Sequence, residues 1–538
     1  MIYLTILAPL AAIFALILAY GLYAWTKKVD EGEGIIKETA DVIKKGAVVF
    51  LNRSYRAMIL VIIAFFGLVG YFVSWQTAAL YMCGAVFSAV AVFFGMHTAA
   101  GGNARTANAA GMNSMDRALR IALRSGSVTG LCLTGLCLLG IGVTVLALNV
   151  PQAAAVLPGF GLGASFVALF CRVAGGDADA VAGMGSDLFE SYAGALISAV
   201  MIAAAMPMIY PRFGESFALT PLTGTVLPVA LSAFGVFGSM AGIMLVRGGE
   251  SSNTIASINT GIYVNGVVVI AGALLLSKGV FGSFNCAAAL ITGLIAGIAI
   301  SKTTAAGSRE LRADMLSAVA AVVFIVIGVF VADALAGLYG ITLAAVGMLS
   351  ISAMTAAACA FGYVSDNAEK IAGISELPEE ARQITERLNV TGNTVASAGK
   401  GFVTGSAAFT SLALFAVYAR TVRLGAIDLL DPLVITSLLI GATLPFLFSA
   451  FTIRPEGIAP VIIAITAPLA VGIVLGTEAL GGMLAGSIAS GVLLSIMVTN
   501  GGGLFKDVCG SSINILIKFM MIVSVTSAGV FMKVGGLI

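Results

Sequence analysis

The chain has 538 residues, of which 59% are hydrophobic and only 10% charged, with a mean hydropathy of +1.06. That balance excludes a soluble globule and defines a polytopic membrane protein. A net charge of +2 and a single histidine, His97, argue against a nucleic-acid footprint and a histidine-based metal centre.

Apolar runs long enough to cross roughly 30 Å of hydrocarbon fall near 2–25, 57–76, 78–100, 128–149, 152–172, 181–210, 220–246, 254–277, 281–301, 315–337, 338–362, 390–420, 433–452, 459–477, 480–499 and 511–533, which predicts about sixteen transmembrane helices. The first run is too long for a signal-peptide core and lacks a basic start, so it reads as a spanning helix. Loops are short, the longest being roughly 27–56 and 363–389, so 1–538 reads as one all-α integral membrane domain. Of the 28 Lys and Arg, 22 fall in alternate loops beginning with the first, five fall on the other side, and Lys518 lies inside a span. By the positive-inside rule both termini then lie outside and the charged motifs face the cytoplasm, as in a prokaryotic plasma membrane. The 65 glycines favour close helix packing in lipid. Seven scattered cysteines (83, 132, 137, 171, 286, 359 and 509) show no metal or redox spacing and read as free thiols.

Four constellations break the apolar pattern. Around the sixth span stand Arg172, Asp177, Asp179, Asp187 and Glu190, with Asp187 and Glu190 three apart and therefore on one helix face. Intramembrane carboxylates normally face a bundle interior and pair with a cation. In the stretch 363–408, Asp366 and Asn367 end one span, while Asn393 and Lys400, seven apart, share a face of the next. At 500–518 a glycine turn leads to Lys506 and Asp507, with Asn514 and Lys518 inside the following helix. Basic loop ends at 49–58 and 101–111 serve equally as anchors. Such carboxylates and lysines suit an oxyanion held through magnesium; Asp187, Glu190 and Lys518 suit a charge-compensated ion gate. The residues alone leave both open.

These motifs resemble the membrane-bound, ion-translocating inorganic pyrophosphatases. The resemblance rests on "AGMGSDLFESYA" (182–193), "VSDNA" with "LPEEAR" (364–382), "GNTVASAGKGF" with "GSAAF" (392–409) and "FKDVCGSSINILIK" (505–518), in family order over nearly the whole chain. It implies magnesium-pyrophosphate hydrolysis at the cytoplasmic side coupled to pumping of protons or sodium ions. It also implies a homodimer in lipid, each subunit having six inner helices (near 152–172, 181–210, 338–362, 390–420, 480–499 and 511–533) ringed by ten outer ones. Carried over, Arg172, Asp187, Glu190 and Lys518 look like the ion gate. Asp366, Asn393, Lys400, Lys506 and Asp507 look like the remnant of the catalytic substrate site, with Asp177, Asp179 and Asp507 as metal ligands. Ala396, where potassium-independent members carry a lysine, implies dependence on potassium.

The chain departs from the family in three loops on one face. After Arg172 the expected aspartates at four-residue spacing become Gly176 and Ala180, "NGGGLFKDVCG" runs from a glycine turn straight to Lys506, and "SKTTAAGSRELRAD" is shortened. Phosphoryl transfer depends on several carboxylates positioning metal and water. Hydrolysis is therefore expected at or near background, and two readings stand: a pyrophosphate-energised pump with a minimal site, or a non-hydrolysing relative that transports an ion or small ligand, such as another small anion, on the retained gate.

Overall fold

The computed structural model describes residues 2–173, 179–205, 219–247, 254–305, 311–453, 459–500 and 504–536. Among these residues every regular element is helical. After a short 3-10 turn (Ile2–Ile6) come α1 (Leu7–Lys28), α2 (Ile35–Phe72), α3 (Trp75–Gly111), α4 (Met115–Ala147), α5 (Val150–Val173), α6 (Asp179–Ala205), α7 (Pro221–Leu245) and α8 (Thr254–Phe281). The second half holds α9 (Asn285–Ala305), α10 (Leu311–Leu349), α11 (Ser352–Ile374), α12 (Glu379–Thr421), α13 (Pro432–Ile453), α14 (Ala459–Val474), α15 (Gly476–Asn500) and α16 (Leu504–Val534).

Among the described residues thirteen helices are long and apolar enough to cross a membrane; α14 (Ala459–Val474) is a shorter apolar helix, and Met58–Phe72 is the apolar end of α2. The chain is an all-α integral membrane protein. Two local features shift the predicted span boundaries. Within α10 the chain reverses at Ala336 and Gly337, where Gly337 takes φ 59°, a value open to glycine but not to most L-residues. Gly340 then rests against the carbonyl of Ala332. The predicted span 338–362 is not continuous either. The Ser350 hydroxyl bonds the Gly347 carbonyl at 2.6 Å, a local alternative to the helical ladder, and the helix restarts at Ser352.

Starts are set by local chemistry. Ser74 caps α3 by accepting from Thr77 N, and Thr220 forms a reciprocal capping box ahead of Pro221 at the start of α7. Small residues set the packing. A Cβ on Gly163 of α5 would lie 1.9 Å from the Tyr81 carbonyl of α3, and one on Gly130 of α4 would lie 2.0 Å from the Ala353 carbonyl of α11. Backbones touch there, as lipid-embedded helices require when no hydrophobic force joins them. The share of each apolar window that is buried is 94% in α5 and 83% in α6 and α12, against 22% in α10. Helices α4 and α7, at 72% and 78%, are as enclosed as α16 at 72%.

Several helices overrun the hydrocarbon. The 43 residues of α12 span about 64 Å at 1.5 Å per residue, so the predicted amphipathic segment and the following span are one continuous helix. Its projecting end, with the ends of α3 and α11 and the start of α2, forms a small platform. Ala40, Ala104, Ala107, Ala368 and Ile371 bury a separate apolar core there. A polar clasp ties the α1–α2 loop to it: Glu31 accepts from Arg105 and from Lys44 (2.6 Å), and Arg105 also donates to the carbonyls of Val29 and Gly101. Burial acts to raise the Glu31 carboxyl, but the hydrogen bond from Lys44 and the charges of Arg105 and Lys44 outweigh it and hold the group below its usual range.

Two predictions follow from this packing. Gly163→Ala places a methyl on the Tyr81 carbonyl and should destabilise the α3–α5 contact by about 1–3 kcal/mol, the range for overpacking, read as a lower melting temperature in detergent. For Glu31 the folded pKa is depressed, so its contribution is present above the unfolded value of about 4.3 and is lost as pH falls through the folded value. The melting temperature of the wild type should therefore exceed that of Glu31→Gln at pH 7, and the gap should close on acidification below about pH 4.

Candidate functional site

The most enclosed helices converge on a buried charge centre. Lys518 of α16 is 1% exposed, Asp187 and Glu190 of α6 are 0% and 3% exposed, and Arg172 at the end of α5 is 5% exposed. The Lys518 ammonium donates to Asp187 Oδ1, to the Asp187 carbonyl at 3.0 Å and to Ser191 Oγ at 2.7 Å, and Glu190 Oε2 lies 3.0 Å from it. Arg172 acts electrostatically on Asp187. Two cations thus face two carboxylates, which is the condition for holding charge inside an apolar bundle. The four predicted gate residues come together as the spacing of α6 implied. Ser191 was not singled out, although its position four residues after Asp187 puts it on the same face.

One helical turn before Lys518, Asn514 joins a second polar group. Its side chain contacts Ser495 Oγ of α15 at 2.7 Å and Thr404 Oγ1 of α12 at 3.2 Å, and Ser495 also bonds the Gly510 carbonyl at 3.0 Å. On the other side of the charge centre the bundle is apolar: Ile197 and Ile522 close on Gly161, and Phe166 and Phe519 meet edge to face at 5.1 Å.

The residues of the predicted substrate site are placed differently. Asp366 of α11 pairs with Lys370, one turn along its own helix, at 2.7 Å, both being partly exposed. Asn393 is exposed and donates to Asn389, which in turn bonds Glu369. Lys400 is half-buried on α12. Asp177 lies outside the described residues. Asp179, Lys506 and Asp507 begin α6 and α16, and their side chains lie outside the described residues. Magnesium requires several oxygen ligands in near-octahedral array. Among the described residues no group of three or more His, Cys, Asp or Glu is arranged to hold a metal, and Asp366 is engaged by Lys370; the side chains of the predicted ligands Asp177, Asp179 and Asp507 are not among them.

A charge-balanced centre buried in a polytopic helical bundle is the kind of feature that marks ion-translocating membrane proteins. Comparison with known sequences makes that class specific. The chain matches the family model "Inorganic H+ pyrophosphatase" over residues 13–178, 177–310 and 308–459. It is 34% identical to a Clostridium tetani protein named "Putative K(+)-stimulated pyrophosphate-energized sodium pump", over 98% of both chains. It is 28% identical to the K(+)-stimulated pyrophosphate-energized sodium pump of Thermotoga maritima, over 99% of both. With the K(+)-insensitive pyrophosphate-energized proton pump of Methanosarcina mazei it shares 29% identity over 93% of this chain and 90% of the relative. The chain belongs to the family of membrane-bound, ion-pumping inorganic pyrophosphatases. The alignment with the Clostridium relative runs over 674 positions against 538 residues here, so at least 136 of those positions have no counterpart in this chain.

Removing one member of the centre should expose the balance. Lys518→Gln leaves Asp187 and Glu190 buried without their ammonium partner and should cost about 3–5 kcal/mol, measured by thermal unfolding in detergent. Adding Asp187→Asn to that variant should recover part of the loss, because one uncompensated charge is removed with its partner.

Proposed function

We propose that this chain is a cation-translocating member of its family in which the ion-transfer centre is intact and the hydrolytic end is reduced. The observation that carries this reading is the Lys518 centre. An ammonium has three N–H groups, yet four acceptors crowd around Lys518: the Asp187 carbonyl, Asp187 Oδ1, Ser191 Oγ and Glu190 Oε2. Asp187 Oδ2 and both Glu190 carboxylate oxygens have no hydrogen-bond partner among the described residues, Glu190 Oε2 meeting Lys518 as an ion pair only. The carboxylate pair therefore holds more acceptor capacity than the lysine uses. A sodium ion or proton arriving there takes over part of the compensation and loosens Lys518 from the carboxylates, leaving it on Ser191 and the Asp187 carbonyl, to which it already donates. Arg172 keeps the pair from carrying excess negative charge when the cation leaves. The apolar layer around Ile197 and Ile522 makes passage conditional on that exchange rather than open diffusion.

The reduced end is supported by the absent alignment positions and by the local pairing of Asp366 with Lys370 and of Asn393 with Asn389 and Glu369. Hydrolysis of pyrophosphate is accordingly placed at or near background. The second reading is a working pyrophosphate-energised pump, supported by relatives named as such over nearly their full length; in it Asp177, Asp179 and Asp507 complete a magnesium site with Lys400 and Lys506. Dependence on potassium, suggested by Ala396 and by the K(+)-stimulated relatives, belongs to both. So do assembly as a homodimer, six inner helices within ten outer ones, and a plasma-membrane orientation with both termini outside.

The test is purified protein in liposomes, followed for sodium and proton flux and for phosphate release from magnesium pyrophosphate with potassium. Flux abolished by Asp187→Asn, with phosphate release at background and insensitive to Asp507→Asn, is the expected result. Phosphate release that both substitutions abolish would establish the pump with a minimal site. Neither flux nor release from folded protein would sink the ion-transfer reading.

A further inference from the structure

A second feature lies on the flank of α12 that faces away from Lys400. Asn393, Ala396, Ser397 and Lys400 occupy one side of that helix, and Thr394, Val395, Ala398, Gly399 and Phe402 the other. Between this second face and α8, α9 and α11 is a cavity of about 110 Å³. It exists because Ala398, Gly399 and Ala358 carry too little side chain to fill the wedge, while Ser301 of α9 pins the spacing by bonding the Ala398 carbonyl at 2.9 Å.

The lining is more apolar than its composition suggests. Thr394 spends its hydroxyl on the Val390 carbonyl at 2.9 Å, and Thr355 on the Ile351 carbonyl at 3.2 Å. Both line the cavity beside Ile262, Ile298 and Phe402, with Asn259 as a further polar residue. A cavity with few polar partners has little hold on water and takes apolar guests. At its rim stands the one strong charge, Lys302, in the last turn of α9. Among the described residues no carboxylate pairs with Lys302; it donates to the Tyr263 hydroxyl and lies 5.0 Å from the ring centroid. Tyr263 is 42% exposed and shares a face of α8 with Val267 and Leu274, exposed by 66% and 39%. The rim is thus continuous with an apolar outer stripe, at the height where the helix runs out of hydrophobic residues.

We infer that this crevice is a binding site for an anionic phospholipid, with a few methylenes of one acyl chain entering the cavity against α12, the rest along the outer stripe of α8, and the phosphate at Lys302. A mainly apolar lining in which Asn259 and Ser301 are minor polar members, a cation at the mouth with no carboxylate partner among the described residues, and continuity with the outer surface fit a diacyl phosphate better than a free anion, which would leave the apolar depth unfilled. The site is separate from the Lys518 centre and does not depend on how that centre works.

Lipid quenching of a local tryptophan tests it. The chain has only Trp25 and Trp75 as background, so the full-length protein with Tyr263→Trp, reconstituted in phosphatidylcholine, reports on the rim when small fractions of brominated lipid are added. Brominated phosphatidylglycerol should quench the reporter with about fivefold higher apparent affinity than brominated phosphatidylcholine, the ratio for about 1 kcal/mol per basic residue at a membrane surface. Lys302→Gln in the reporter should remove that preference, and Ala398→Leu, which fills the cavity, should weaken quenching by both lipids. Equal quenching by the two lipids, or a preference that survives Lys302→Gln, overturns the proposal. Relief of phosphatidylglycerol quenching by millimolar inorganic phosphate also overturns it in favour of a free-anion site.

Discussion

Charge buried away from water has to be balanced on the spot, and the interior of this bundle is organised around that demand. Lys518 reaches four oxygens on α6, and Arg172 brings a second cation from α5. For this to happen three helices must meet at one depth with their polar faces turned inward. The close backbone approaches elsewhere serve that meeting, because large side chains at Gly161 or Gly194 would hold α5 or α12 away from the pair. Gly161 lies against Ile197 and Ile522, and Gly194 against Thr410. The charge centre and the small-residue packing are one constraint seen from two sides.

The charged end obeys other rules. Outside hydrocarbon a carboxylate has water to solvate it, and Asp366 with Lys370 forms the kind of exposed pair that contributes little. The platform made by the projecting ends of α2, α3, α11 and α12 is held instead by a few alanines and by the Glu31–Arg105 clasp. It keeps the helix ends in register without bringing several carboxylates together among the described residues. The buried charge centre and the charged helix ends are therefore held by separate sets of contacts.

Much of this was legible in the sequence. Hydropathy identified the membrane class, the three-residue spacing of Asp187 and Glu190 identified a shared face, and Lys518 stood out as a cation with no reason to lie in an apolar run. What was not legible depends on backbone events without a hydropathy signal. The interruption at Ser350 arises from one hydroxyl competing for a carbonyl, and the continuity of α12 arises because an amphipathic surface helix and a spanning helix share a period and lack a glycine or proline between them. The hydrogen-bonded group of Thr404, Ser495 and Asn514 was also hidden, since isolated polar residues on three helices show no pattern until packing joins them. The cavity beside Lys302 is likewise made of small residues whose effect is to leave space, and empty space has no letter in a sequence.

The glycine seams also bear on alignment. Where Gly163 lies on the Tyr81 carbonyl and Gly130 on the Ala353 carbonyl, backbone meets backbone with no side chain between. Across the α3–α5 seam the rings of Tyr81 and Phe166, and of Phe87 and Phe160, interlock beside that contact. The glycines set how near the two helices come, and the rings beside them set the register at which they meet.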